Sequence, residues 1–324
     1  MNPELESIDA IQQSLYQNTY VADRALATAI FLTLKLNKPL LLEGEAGVGK
    51  TQVAKTLAEM LKRPLIRLQC YEGLDVNSTI YEWNYTRQML HIRALELQGC
   101  EDTAELERDL FGPDYLIKRP LLQAIELTQD GTAPVLLIDE LDRADQEFEA
   151  FLLELLSDFQ ISIPEIGTIK ATQPPIVVLT SNRTREVHDA LKRRCIYHWI
   201  DYPAPEKEYR IVTLRVPSAP ARLDRQLVEF VQGLRHVELY KVPGIAETLD
   251  WAEALVTLNA QELELPIIQD TLGVLLKYQD DIDAVSKGQL QSILEQVRAR
   301  LQAQSQATTA QKAADEFSTS PIHS

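Results

Sequence analysis

The sequence predicts an α/β protein in which a parallel sheet carries helices on its faces and an all-helical second domain follows. Three observations predict it. The runs Leu40-Leu41-Leu42, Val135-Leu136-Leu137-Ile138 and Ile176-Val177-Val178-Leu179 are apolar on consecutive residues, as strands buried on both faces require. Segments of helical apolar spacing alternate with such runs up to about residue 203, the signature of a parallel sheet. Beyond Pro203-Ala204-Pro205 the strand signals stop. The expected division is therefore an α/β core over residues 1–203, a helical lid domain over 204–302 and a structureless tail over 303–324.

The elements follow in order. Residues 7–17 and 21–36 carry helical spacing,. The strand at Leu40-Leu41-Leu42 leads into a glycine-rich turn and an amphipathic stretch over 52–61. Leu65-Ile66-Arg67-Leu68 reads as a short strand after Pro64. Residues 77–99 mix aromatic, basic and aliphatic side chains, with helical spacing over 92–97, and residues 101–110 are acidic and helix-like. Phe111-Gly112-Pro113-Asp114 is a turn signal, and 120–129 reads as a helix with Pro at its start. After the strand at Val135, residues 147–157 form an amphipathic helix. Residues 159–163 and 168–171 flank Pro164-Glu165-Ile166-Gly167 as a hairpin. Strands over 176–180 and 195–200 complete the sheet. Helices over 205–213, 222–235, 245–258, 266–278 and 283–301 make up the lid. From Ala303 onward Gln, Ala, Ser and Thr dominate, with few apolar anchors,.

Composition narrows the function classes. Lys plus Arg number 32 and Asp plus Glu 48, a formal charge of −16, which opposes broad binding to nucleic acid or anionic membrane. No stretch is apolar for long enough to span a bilayer, so no membrane insertion is expected. The acidic start Met1-Asn2-Pro3-Glu4 lacks the basic-then-apolar form of a signal peptide. Cys70, Cys100 and Cys195 are far apart and without metal-ligand spacing. A cytoplasmic setting fits these features.

The chemistry begins at Gly44-Glu45-Ala46-Gly47-Val48-Gly49-Lys50-Thr51, between a strand and a helix. In that context G-x-x-x-x-G-K-[ST] is a phosphate-binding loop. Its backbone N–H groups and the helix N-terminus would surround a phosphate chain. Lys50 would reach the β- and γ-phosphates of ATP, and Thr51 would place its hydroxyl on Mg²⁺. Gln52, next along the helix, joins the candidate nucleotide contacts. Asp139 and Glu140 end a buried strand, where α/β sheets bind ligands. Asp139 would join Thr51 around the metal, and Glu140 would polarise a water for attack on the γ-phosphate. Asn182 would sit between acids and water, or cap the following helix. Lys192-Arg193-Arg194 is a basic knot before the last strand. Arg194, and next to it Arg193, is a candidate to stabilise phosphoryl-transfer charge, the alternative being a solvated basic turn.

This order of phosphate loop, Asp139-Glu140, hairpin, Asn182, Arg193-Arg194 and helical lid resembles an AAA+ ATPase of the MoxR branch. The resemblance rests on residues 40–51, VLLIDELDRAD over 135–145, the hairpin and IVVLTSNR over 176–183. Residues 197–203 look like the subgroup associated with carbon monoxide dehydrogenase maturation. The resemblance implies a chaperone-like ATPase that works as a ring, usually a homo-hexamer, with Arg194 acting on the neighbour's nucleotide. It also implies a von Willebrand factor A domain partner and a metalloenzyme client. A DNA-associated motor or a low-turnover nucleotide switch are the competing classes. Two departures stand out. Glu247 occupies the place where related lids carry an arginine, for which Arg222, Arg225 or Arg235 could substitute. The segment 84–118 is long, and is either a pore-facing insert presenting Tyr115-Leu116-Ile117 or a packed surface excursion.

Overall fold

The computed structural model describes residues 6–98, 110–127 and 133–318. The helix expected over 101–110 lies almost wholly outside them, as do Cys100 and residues 319–324. The chain divides into two compact units, one of residues 1–45 and 49–200, the other of Ala46–Val48 and Asp201–Ser324.

The first unit is built on a five-stranded sheet. Helices α1 (Ile8–Gln17) and α2 (Arg24–Leu36) precede strand β1 (Leu40–Gly44). Both are N-capped by side chains: Ser7 accepts from Ala10 N at 3.1 Å and Asp23 from Leu26 N at 2.8 Å,. Helix α3 (Lys50–Leu61) and strand β2 (Leu65–Gln69) follow. Next come α4 (Val76–Ile80), β3 (Tyr81–Trp83), α5 (Tyr85–Gln98), β4 (Leu116–Lys118) and α6 (Pro120–Glu126). The unit closes with β5 (Val135–Asp139), α7 (Gln146–Asp158), β6 (Gln160–Ile163), β7 (Gly167–Lys170), β8 (Ile176–Ser181), α8 (Asp189–Lys192) and β9 (Ile196–Ile200).

The sheet order is β2-β5-β8-β1-β9, and every pairing is parallel. The strands with continuous apolar runs, β1, β5 and β8, are therefore its three central ones, buried along almost their whole length. β2, whose burial alternates, is an edge. The core joins Leu41, Leu136, Ile138 and Leu179 of the sheet to Leu121, Phe148 and Leu152 of the helices. β6 and β7 pair antiparallel as the expected hairpin, with Gly167 at φ +98°.

The described parts of the segment between β2 and β5 form helices and a small paired sheet. β3 and β4 pair antiparallel, Trp83 facing Leu116, and Trp83 meets Phe111 edge-on at 5.3 Å. Tyr115 and Leu116 are buried in the core, so of the three residues expected to face a client only Ile117 is exposed. Aromatic and aliphatic bulk here favours burial, and the β3–β4 ladder pairs the backbone groups taken inside with it,.

The second unit holds α9 (Pro205–Arg215), α10 (Ala221–Leu234), α11 (Ile245–Thr257), α12 (Leu265–Leu275), α13 (Gln279–Ser286) and α14 (Leu290–Ser318). Its own core gathers Phe230, Trp251, Leu255, Leu272 and Val285. A buried ion pair crosses it. The Arg235 guanidinium donates to both Glu208 oxygens at 2.7 Å, and Thr248 Oγ1 and Gln232 Nε2 donate to the same carboxylate at 2.8 and 2.6 Å. A buried pair is tolerable when its lone pairs are filled in this way. α14 runs through most of the stretch expected to be structureless; its Ala and Gln residues are good helix formers whatever their apolar content.

Candidate functional site

The sequence folds the phosphate loop by placing glycine where the backbone turns left-handed. Gly47 has φ +80° and Gly49 φ +94°, values that cost an L-residue about 1–2 kcal/mol. Gly49 is the N-cap of α3. The turn therefore aims the first-turn N–H groups of α3 at one point, together with the positive end of the helix dipole. Lys50 is 6% exposed, and its ammonium donates to Gly44 O at 2.8 Å and Glu45 O at 2.6 Å. Burial holds its pKa below the usual value, opposed by the nearby acids Asp142, Glu45, Asp139 and Glu140. Gln52 turns along its own helix, to Thr56 Oγ1 at 3.4 Å.

The adjacency of β5 to the central strands brings Asp139 to this loop. Thr51 Oγ1 donates to Asp139 Oδ1 at 3.0 Å and stands 3.3 Å from Oδ2. Asp139 is buried, and two further residues hold it. Thr180 Oγ1, at the end of β8, donates to Oδ1 at 2.5 Å. Arg67, on β2, donates to Oδ2 from Nε at 3.0 Å and from Nη2 at 2.6 Å. Glu140 sits at φ +55°, a region uncommon for residues with a side chain and often found at functional sites. Its N–H donates to Thr180 Oγ1 at 2.9 Å, and its Oε2 pairs with Arg143 Nε at 2.9 Å.

Asn182 follows β8 and caps no helix. The next helix, α8, is capped by His188, whose Nδ1 accepts from Ala190 N. Asn182 N instead donates to Asp142 Oδ1 at 3.0 Å, and Thr184 donates to Asp142 Oδ2 from its N–H at 2.9 Å and its hydroxyl at 2.6 Å. Burial would raise the Asp142 pKa, but these hydrogen bonds overcome it and hold the carboxyl below its ordinary value. Glu149 buttresses the same loop by pairing with Arg185 and accepting from His188 N at 2.6 Å.

Thr51, Asp139, Thr180 and Glu140 thus share one hydrogen-bond network, Asp142 separately ties Asn182 and Thr184, and Lys50 feels the charge of both acids. Arg193 and Arg194 are both exposed, and Arg194 donates to Leu153 O of α7. In the helical unit Arg235 is committed to Glu208, Arg222 pairs with Glu262, and Arg225 lies over the Tyr209 ring. Glu247 accepts from Gly244 N at 3.0 Å, capping its own helix. Arg67, Thr180 and Asp142 are the site residues that sequence reasoning passed over. Thr180 carried a signal, a polar residue ending an apolar strand, whereas Arg67 carried none.

Asp139 and Thr51 supply oxygen donors of the kind Mg²⁺ takes alongside phosphate oxygens. Among the described residues no group of three His, Cys, Asp or Glu could hold a metal by itself, and no helix is long and apolar enough to cross a membrane.

The parallel five-stranded sheet, its loop and acids, and the following helices define an AAA P-loop NTPase fold with a C-terminal helical region. Residues 39–195 match the family model described as AAA domain (dynein-related subfamily). An uncharacterised protein of Staphylococcus epidermidis is 25% identical over 263 residues, covering 79% of this chain and 88% of that protein. One from Staphylococcus aureus is 28% identical over 207 residues, covering 62% of this chain and 69% of its own. The Holliday junction branch migration motor RuvB of Thermotoga maritima is similar at a TM-score of 0.44 and 17% identity, covering 84% of this chain and 72% of that one.

Proposed function

We propose that this protein is an ATP-hydrolysing remodelling factor that acts as a ring, with ATP and Mg²⁺ held between the phosphate loop and β5. The observation that carries the reading is the Thr51 hydroxyl on the Asp139 carboxylate at 3.0 Å, with Lys50 buried beside them. Bound Mg²⁺–ATP supplies the electrophilic phosphoryl group and the charge of the metal. The backbone of Gly44–Gly49 and Lys50 bind and orient the phosphates. Thr51 and Asp139 would hold the metal's shell. Glu140 accepts the proton of the attacking water, and Asn182 orients that water. Arg194, or Arg193 beside it, reaches the nucleotide of a neighbouring subunit, which suits their exposure.

The resemblance to the MoxR branch supports a homo-hexamer that works with a von Willebrand factor A domain protein on a metalloenzyme client. The charge of −16 favours a protein client over DNA. Glu140→Gln is expected to keep ATP bound and to lower turnover by about 10²- to 10⁴-fold, while Lys50→Ala weakens binding itself. Turnover unchanged in Glu140→Gln removes Glu140 as the base. Arg194→Ala is expected to bind nucleotide yet lose assembly-dependent turnover. Stimulation of turnover by duplex DNA would overturn the protein-client reading.

A further inference from the structure

The Asp139 carboxylate is saturated with donors from the chain itself. A carboxylate offers about four lone-pair positions. Thr51 and Thr180 occupy Oδ1, and Nε and Nη2 of Arg67 both point at Oδ2. A water carried by Mg²⁺ is a hydrogen-bond donor and needs one of these same positions. Thr51 and Thr180 are fixed by α3 and by the central strand β8. Arg67 is not: it stands on the edge strand β2, two residues before Gln69, which is paired with Asp139 across the strands. Its side chain is 48% exposed against 3% for Asp139, so it alone among the donors can swing into solvent without opening the core. Gln69 Oε1 accepts from Nη2 and keeps the guanidinium over the carboxylate until then.

We propose that Arg67 is a tethered counter-cation that competes with the hydrated divalent cation for Asp139 and gives way when the metal–nucleotide complex binds. The proposal rests on the Thr51–Asp139 metal site proposed above. An arginine suits the task because it is always charged and its planar fork presents two N–H groups to one oxygen, while its own half-exposed side chain can return its charge to water.

The test is a Mg²⁺ titration of the binding of a fluorescent ATP analogue to the full chain, read as anisotropy, with parallel binding in EDTA. Arg67→Gln is expected to lower the Mg²⁺ concentration for half-maximal effect by about two- to tenfold, with binding in EDTA unchanged. Arg67→Lys, which keeps the charge and loses the fork, is expected to fall between. A role in merely supporting the fold would move the half-point upward instead. A half-point unchanged or raised in Arg67→Gln overturns this proposal alone. Binding that is indifferent to Mg²⁺ in the unsubstituted protein overturns the metal site, and this proposal with it.

Discussion

Asp142→Asn is expected to loosen the loop that carries Asn182 while leaving the sheet beneath it in place. The carboxylate accepts three hydrogen bonds, from Asn182 N, Thr184 N and Thr184 Oγ1. An amide in its place keeps one acceptor oxygen and turns an NH₂ group toward a backbone donor. One N–H is then left without its partner in a part-buried setting, costing about 1–3 kcal/mol. The bonds that remain lose their charge assistance, roughly a further 1 kcal/mol. Together these give about 2–4 kcal/mol, or roughly a 30- to 700-fold loss of local protection. Amide hydrogen exchange at Asn182 and Thr184 reads this directly, and peptides from the β5 interior serve as the reference. The sign with pH follows from the lowered pKa. The stabilisation from Asp142 is present above the ordinary carboxyl pKa and is lost as pH falls through the lower folded value. The Asn variant should show no such acid-dependent loss. Protection at Asn182 and Thr184 unaltered by the substitution would refute the reasoning.

Asp224 in α10 behaves in the opposite sense: it is 2% exposed, one oxygen has no hydrogen-bond partner, and burial pushes its pKa to about 6, offset in part by Thr213. Its neutral form suits the fold, so stability is greatest below the ordinary 3.8 and declines as pH rises through about 6, by up to about 3 kcal/mol. Calorimetry of Asp224→Asn should show a melting temperature raised at pH 7.5 and little changed at pH 4; an unaltered pH slope would count against it. Gly49→Ala meets no atom within 4 Å but is forced to φ +94°, so it should cost about 1–2 kcal/mol of strain and weaken nucleotide binding in a direct titration. Binding as tight as in the unsubstituted protein would show that the loop tolerates a side chain there.

The parts of the candidate site that were legible in the sequence are contiguous in it. Gly44 to Thr51 make their own turn, and Asp139-Glu140 stand at the end of their own strand, so spacing alone marks them as candidates. The parts that were not legible depend on which strands are neighbours. Arg67 meets Asp139 because β2 pairs with β5 across 72 residues, and in the sequence it is one polar residue in a short alternating strand. Thr180 meets the same carboxylate because β8 lies on the other side of β5. The insert stayed open for a related reason. The sequence left a client-facing insert and a packed excursion equally open; β3 and β4 pair, and Tyr115 and Leu116 are buried, a non-local contact that periodicity cannot register.

By itself the sequence determined the α/β alternation, the burial of the central strands, the turn that can hold phosphate and the acids that end β5. Hydrophobic period and backbone chirality act within a few residues, and a sequence displays them openly. Only the tertiary structure decided the strand order. With it came the partners of Asp139, the tie from Asp142 to the Asn182 loop and the commitment of Arg235 to Glu208. Those contacts join residues from 27 to 88 positions apart, and their geometry exists only once the chain has closed on itself.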